Sequence, residues 1–273
     1  MLAGVFYMRC IMERITSREN PKFKLLSSLM SSKKERTAQG LFVAEGLRLV
    51  SDAVKSGLTP VSVFLSDSFA EKFSERLPEI CKGCKNNYVI SDSLAEKIAD
   101  TKSTQGLFAV FNVLDKNLNI DTIYNNGHFV FIVSLQDPGN VGTIIRTAEA
   151  LGLNGVIMTS DCPDVYSPKV LRSTMGSAFR IPVTVCADPI EMLDLLHQNG
   201  FSTYAAVLDE NSLTLGNFEF PDKSVVLIGN EANGLKDDVI KKCQNSLMIP
   251  MKGSAESLNA ASAANIIMWE MSK

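Results

Sequence analysis

The sequence predicts two α/β domains in tandem, the second built on a mostly parallel sheet. Three observations carry this prediction. Helix and strand patterns alternate along nearly the whole chain, the strands of the second half are almost continuous apolar runs, and an Asn- and Asp-rich stretch with no buried face separates the halves. Residues 1–11 read as a loose extension, 12–113 as the first domain, 114–127 as the linker and 128–273 as the second domain. Met8 and Met12 are also possible starts, and the convincing pattern begins at Met12.

In the first domain the periodicity predicts helices over 21–32, 46–56, 69–79 and 93–100. Strands are expected over 41–44, 60–65, 88–90 and 107–113. In the second, strands follow from HFVFIVSL at 128–135, GVIMTS at 155–160, IPVTVC at 181–186, TYAAVL at 203–208, SVVLIG at 224–229 and SLMIP at 246–250. Helices are expected between most of them, over 141–151, 168–177, 189–198 and 236–244, with a last Ala-rich helix over 257–271. No stretch approaches about 18 uninterrupted apolar residues, so a membrane span is not expected. The apolar first twelve residues lack a basic lead and a cleavage site, which points to a cytoplasmic protein.

The chain has 273 residues and a formal charge of −3, too acidic for a protein that coats a polyanion along its whole surface. Charge is unevenly placed, however. Residues 14–36 hold seven basic side chains against Glu19 and Glu35, so Arg18, Lys22, Lys24, Lys33, Lys34 and Arg36 are candidate RNA contacts, and a solvated surface is the alternative. The six cysteines show no framework spacing and read as reduced thiols. Cys81 and Cys84 form a lone C-x-x-C without a second pair, and neither His128 nor His197 lies at finger spacing, so no metal site is expected. Two histidines in the chain also argue against a His-dependent triad.

Neither a P-loop nor a Gly-rich dinucleotide turn is present. Three polar turns stand at strand ends instead, where ligands of open α/β sheets collect. The first runs from Gln136 to Ala148, with Asn140 as a natural helix cap and Arg146 nearly two turns into an apolar helix. The second, Leu227 to Leu235, brings Gly229, Glu231 and Gly234 after a buried strand. The third, Ile249 to Ala261, places Met251, Ser257, Leu258 and Asn259 before the last helix, with Ser257 as its expected cap.

In this order, N-x-G-x-x-x-R-[ST]-A, G-x-E-x-x-G-L and I-P-M-x-G-x-x-x-S-L-N resemble the three signature motifs of the SpoU (TrmH-like) RNA 2′-O-ribose methyltransferases, over residues 128–271. The segments at 15–50 and 101–111 are similar to the N-terminal substrate-binding domain of that family's ribosomal-RNA branch. The resemblance implies a C-terminal α/β trefoil-knot methyltransferase domain behind a smaller, ribosomal-protein-like RNA-binding domain. It implies S-adenosylmethionine held by Gly229, Ile249 and Leu258, with Leu227, Gly234 and Met251 in the same turns. Arg146 becomes the central catalytic residue, with Asn140, Glu231, Ser257 and Asn259 completing the site. Because a guanidinium hardly deprotonates, the role implied for Arg146 is to bind an RNA phosphate and stabilise the developing alkoxide, the phosphate or Arg146 itself taking the proton. Segment 167–173, with Arg172, is expected to face RNA or a partner subunit. The family resemblance further implies a homodimer, no metal, no membrane, and 23S ribosomal RNA as substrate with guanosine favoured. A tRNA 2′-O-methyltransferase and a non-catalytic RNA-binding or ribosome-assembly protein are the alternatives.

Overall fold

A computed structural model describes residues 12–101, 103–114, 127–209 and 211–273. The expected extension at 1–11 and nearly all of the expected linker lie outside the described residues. The chain divides into two compact units, one containing the described residues up to Leu114 together with Tyr166–Arg172, the other containing the remainder.

The N-terminal unit is a five-stranded mixed sheet in the order β1-β4-β3-β5-β2. Its strands are β1 (Met12–Ile15), β2 (Leu41–Glu45), β3 (Ser62–Ser66), β4 (Asn86–Ile90) and β5 (Leu107–Asn112). Strands β1, β4 and β3 run parallel, and β5 is antiparallel to both β3 and β2. Helix α1 (Pro21–Ser31) lays Phe23, Leu26, Leu29 and Met30 against one sheet face, where Phe64, Phe108 and Ile90 are buried with them. Burying side chains of this size stabilises by about 1.5–3 kcal/mol each.

Three elements differ from expectation. Helix α2 (Lys33–Gln39) follows at once on α1, because Ser32 accepts from the Glu35 amide and Gly40 closes the helix at φ 63°. The charge of this segment had hidden its capping pattern. Strand β1 is a four-residue edge with one buried side chain, too short to show a period. After α3 (Leu47–Lys55), the helix expected over 69–79 is broken ahead of Pro78 into α4 (Asp67–Lys72), a 3₁₀ turn at Ser74–Arg76 and α5 (Leu77–Ile80). Proline lacks the amide that a continuous helix would need, and it starts a new one instead. Helix α6 (Asp92–Ile98) completes the unit's helices before β5.

The C-terminal unit is a seven-stranded sheet in the order β10-β12-β9-β11-β6-β7-β8, with every pairing parallel. Its strands are β6 (Gly127–Ile132), β7 (Gly155–Thr159), β8 (Val183–Cys186), β9 (Ser202–Ala206), β10 (Leu213–Thr214), β11 (Lys223–Ile228) and β12 (Asn245–Met248). The strands β6, β7 and β11 are buried on both faces, as their continuous apolar sequences require. One face packs Phe129, Phe131 and Leu227 against Leu193 and Leu196 of α9 (Pro189–Gln198) and Val239 of α10 (Asp237–Lys242). Helices α7 (Pro138–Ala150) and α11 (Ala260–Met271) pack on each other, and α11 also meets β6 and β11. Helix α8 (Pro168–Thr174) begins in the segment that clusters with the N-terminal unit. Because all strands are parallel, the carboxyl ends of β6, β7, β9, β11 and β12 open at the same edge of the sheet.

Candidate active site at the strand ends

Helix α7 starts three residues earlier than its sequence suggests. Asp137, not Asn140, is the cap: its carboxylate accepts from the Gly139 amide at 2.5 Å and the Asn140 amide at 3.2 Å, and Pro138 fills the first helical position. Asn140 is thereby released from capping and turned toward the second loop. Its Nδ2 donates to Glu231 Oε1 at 2.9 Å. The same carboxylate accepts from the Gln136 amide at 3.1 Å and the Asp137 amide at 3.0 Å.

The third loop joins this network through Asn259. Its Nδ2 donates to Asn140 Oδ1 at 3.1 Å, while its own Oδ1 caps α11 by accepting from the Ala261 and Ser262 amides at 2.9 and 3.2 Å. Asn259 therefore takes the capping place expected of Ser257, which lies exposed in the preceding loop. Asn140, Glu231 and Asn259 thus form one hydrogen-bonded row across all three turns. Partial burial pushes the Glu231 carboxyl up, but the bonds from Asn140 and the backbone amides outweigh it and hold the group below the ordinary carboxylate range.

Arg146 stands on the same helix as Asn140 and is exposed, whereas its neighbours Ile144 and Ile145 are fully buried. Among the described residues Arg146 makes no ion pair or hydrogen bond. The contrast is Arg180, whose guanidinium donates to both oxygens of Glu149 at 2.8 and 3.2 Å.

Beside the row lies a cleft of about 420 Å³ lined by the ends of β9 and β11 and by the second and third loops. That volume is in the range of small-molecule sites. Of the residues expected to hold a cofactor, Gly229, Gly234, Ile249, Met251 and Leu258 line the cleft, as do Glu231 and Ser257. Leu227 does not, because it is fully buried inside the sheet. Asn140, Arg146 and Asn259 are not among the cleft's lining residues. Gly229 has no room for a side chain: a Cβ there would lie 2.3 Å from the Gly234 carbonyl carbon and 2.4 Å from the Leu235 nitrogen. The close pass is pinned by paired backbone bonds between Asn230 and Gly234, at 3.0 and 2.9 Å. It leaves a backbone edge and small residues facing the cleft, while Leu208, 68% exposed, and Leu258 supply apolar walls. A flat heteroaromatic ring with polar edges suits such a lining.

The sequence had not pointed to Ala206, Val207 and Leu208, although they follow a buried strand and the strand-end rule would have found them. Nor had it pointed to Asn230, whose Oδ1 accepts from the Ala232 and Asn233 amides and whose Nδ2 donates to Ser134 O at 2.9 Å.

The candidate RNA contacts fare differently. Arg36 is only 5% exposed and its Nη1 donates to the Leu29 carbonyl at 2.6 Å, closing the end of α1, so it is not on the surface at all. Arg172 is ion-paired with Asp100 within the N-terminal unit. Lys22 pairs with Glu13 at 2.5 Å and sits over the Tyr88 ring, and Lys24 pairs with Glu19. Arg18, Lys33 and Lys34 are exposed. Among the described residues no group of three or more His, Cys, Asp or Glu is placed to hold a metal ion, and no helix is long and apolar enough to cross a membrane.

Residues 127–269 match the family model of the SpoU rRNA methylases, and residues 11–109 match that of the MRM3-like substrate-binding domain. A 23S rRNA (uridine(2479)-2′-O)-methyltransferase of Streptomyces viridochromogenes is 33% identical, over 94% of this chain and 91% of that protein. A 23S rRNA (guanosine(2553)-2′-O)-methyltransferase of Bacillus subtilis is 31% identical, over 95% and 99%. The crystal structure of an AdoMet-bound rRNA methyltransferase from Sinorhizobium meliloti superposes with a TM-score of 0.81 at 29% identity, covering 95% of this chain and 97% of that one. The α/β fold is that of the knotted SpoU enzymes, and S-adenosylmethionine is the family's methyl donor. With its three polar turns joined at one sheet edge and its matching front domain, this chain belongs to the SpoU rRNA methylase family.

Proposed function

We propose that this protein methylates a ribose 2′-hydroxyl of 23S ribosomal RNA, with guanosine as the favoured nucleoside. The observation that carries the reading is the row Asn140–Glu231–Asn259, which locks the three turns together beside a cleft fit for the cofactor. When bound, S-adenosylmethionine supplies an electrophilic methyl group. Gly229, Ile249, Met251 and Leu258 would hold it through backbone edges and apolar walls.

The chain's own work concerns the sugar. A ribose hydroxyl is a poor nucleophile at neutral pH, so catalysis must come from orientation and from stabilising charge as its proton leaves. Arg146 makes no ion pair or hydrogen bond among the described residues and would bind an RNA phosphate while stabilising the developing alkoxide, the phosphate taking the hydroxyl's proton. Asn140 and Asn259, oriented by Glu231, would fix the ribose, with the Ser257 hydroxyl at the cleft wall.

The N-terminal unit would serve as the platform for the RNA, using Arg18, Lys33 and Lys34. The protein would act as a homodimer in the cytoplasm. Ile266 and Trp269, 42% and 58% exposed one turn apart on α11, would form part of its contact. The test is transfer of labelled methyl groups to total RNA from a strain lacking the gene, followed by nuclease digestion. A 2′-O-methylguanosine in 23S ribosomal RNA is the expected product; label in tRNA, or none in any RNA, would overturn the reading.

A further inference from the structure

Only two non-glycine residues among those described have positive φ, Ser134 at 55° and Met175 at 50°. Ser134 lies two residues past the end of β6 and two before the first turn, in a conformation that side-chain-bearing residues rarely adopt. It is held there from every side. Its amide donates to Thr159 Oγ1 at 2.9 Å and its hydroxyl to Asp161 Oδ2 at 2.7 Å. Its carbonyl accepts from Asn230 Nδ2 at 2.9 Å and Gln136 Nε2 at 3.1 Å. Thr159 Oγ1 in turn donates to Asp161 Oδ1 at 2.5 Å. One carboxylate at the end of β7 therefore gathers both hydroxyls that fix Ser134. Two residues further on, the Gln136 and Asp137 amides reach Glu231.

We propose that Asp161 is a positioning residue for the methyl-transfer site: by clamping Ser134 and Thr159 it holds the left-handed turn that delivers the Gln136 and Asp137 amides to Glu231, and so sets the pose of Asn140 and Asn259. The inference rests on the transfer reading given above. Asp161 lines none of the cleft and acts through Ser134 and Thr159. A charged acceptor makes the clamp stiffer than a neutral one. Bonds from Thr159 and Ser134, with Lys236 nearby, outweigh the partial burial that pushes the Asp161 carboxyl up, and it stays ionised below the ordinary range. Glycine would take the turn without any clamp, and that supplies the decisive test.

Asp161→Asn, Thr159→Val and the double variant Asp161→Asn with Ser134→Gly are compared with the parent. The measurements are kcat, the Kd for S-adenosylmethionine, the melting temperature and hydrogen exchange of the 136–137 amides. Asp161→Asn is expected to lower kcat about tenfold while the cofactor Kd moves less than about twofold, as loss of orientation without loss of binding would. Exchange at Gln136 and Asp137 should quicken in both single variants. Ser134→Gly in the Asp161→Asn background should recover most of the lost kcat, an outcome that a merely stabilising carboxylate would not give. Unchanged kcat and exchange in Asp161→Asn, or no recovery in the double variant, would overturn the proposal. A parent chain that transfers no methyl group would instead sink the transfer reading, and the exchange rates would still decide whether the clamp exists.

Discussion

In the N-terminal unit most of the candidate basic side chains are spent on the protein itself, whereas Arg146, on helix α7 of the C-terminal unit, has no ion pair or hydrogen bond among the described residues. Lys22 and Lys24 neutralise Glu13 and Glu19, Arg172 is joined to Asp100, and Arg36 is sealed against the end of α1. Arg146 stands exposed on a helix whose opposite face is fully buried. A count of charges along the sequence thus says less than which partners each charge meets once the chain has folded. Lys22, Lys24 and Arg36 find partners nearby, whereas Arg18 and Lys34 stay exposed.

The comparison breaks most sharply at Arg146. Arg146→Ala should lower methyl transfer by roughly a hundred- to a thousandfold, the scale of losing a charge-stabilising group. Because the side chain is exposed and makes no ion pair or hydrogen bond among the described residues, the melting temperature should move by no more than about 1–2 °C. Full activity in the variant would place the reaction elsewhere. Gly229→Ala comes next. The new methyl would strike backbone, not a flexible side chain, so the loop must open at a cost of about 1–3 kcal/mol. Calorimetric titration should show cofactor affinity falling with it, since Gly229 lines the cleft.

How far the sequence discloses these features depends on their range. The parallel C-terminal sheet is legible because β6, β7 and β11 are continuous apolar runs, and α9 spans the expected 189–198. The three turns are legible because strand ends announce themselves. The bonds between turns are not: Asn140 looks like a cap from its neighbours alone, and only the arrival of Glu231 from 91 positions away shows that Asp137 caps in its place. Arg36 misleads for the same reason. Its partners lie one helix back, and a basic stretch gives no sign that one member turns inward. Local chemistry writes caps and periods into the sequence, while tertiary choices among equivalent polar groups are settled only when distant loops meet.

Arg36 allows that point to be measured. Arg36→Ala should destabilise the N-terminal unit by about 1–3 kcal/mol, the cost of unpaired buried carbonyls, detectable as a lower urea midpoint, with methyl transfer per folded molecule nearly unchanged. A smaller effect is expected from the surface cations. Removing Arg18 and Lys34 together should reduce the slope of log affinity for RNA against log salt by about 1.4, at roughly 0.7 per phosphate contact on single strands. Removing Lys22 and Lys24, already neutralised, should change it less. Equal slopes for the two pairs would erase the distinction between engaged and available charge.

The smallest effect concerns the carboxylate that ties the turns together. Glu231 has its folded pKa held below the ordinary value of about 4.3. Its contribution is therefore complete above that ordinary value and is lost as pH falls through the lower folded one. Glu231→Gln cannot titrate and offers one acceptor oxygen to the three donors that now share two. The parent should melt a degree or two above the variant near neutral pH, and the gap should close on acidification. Removal of Glu19, whose carboxyl Lys24 also holds below the ordinary range but in full solvent, should open a much smaller gap. A gap that stayed constant with pH would mean that the Gln136 and Asp137 amides and Asn140 recognise the shape of the Glu231 side chain and not its charge, and the row across the three turns would then be a neutral hydrogen-bond ladder.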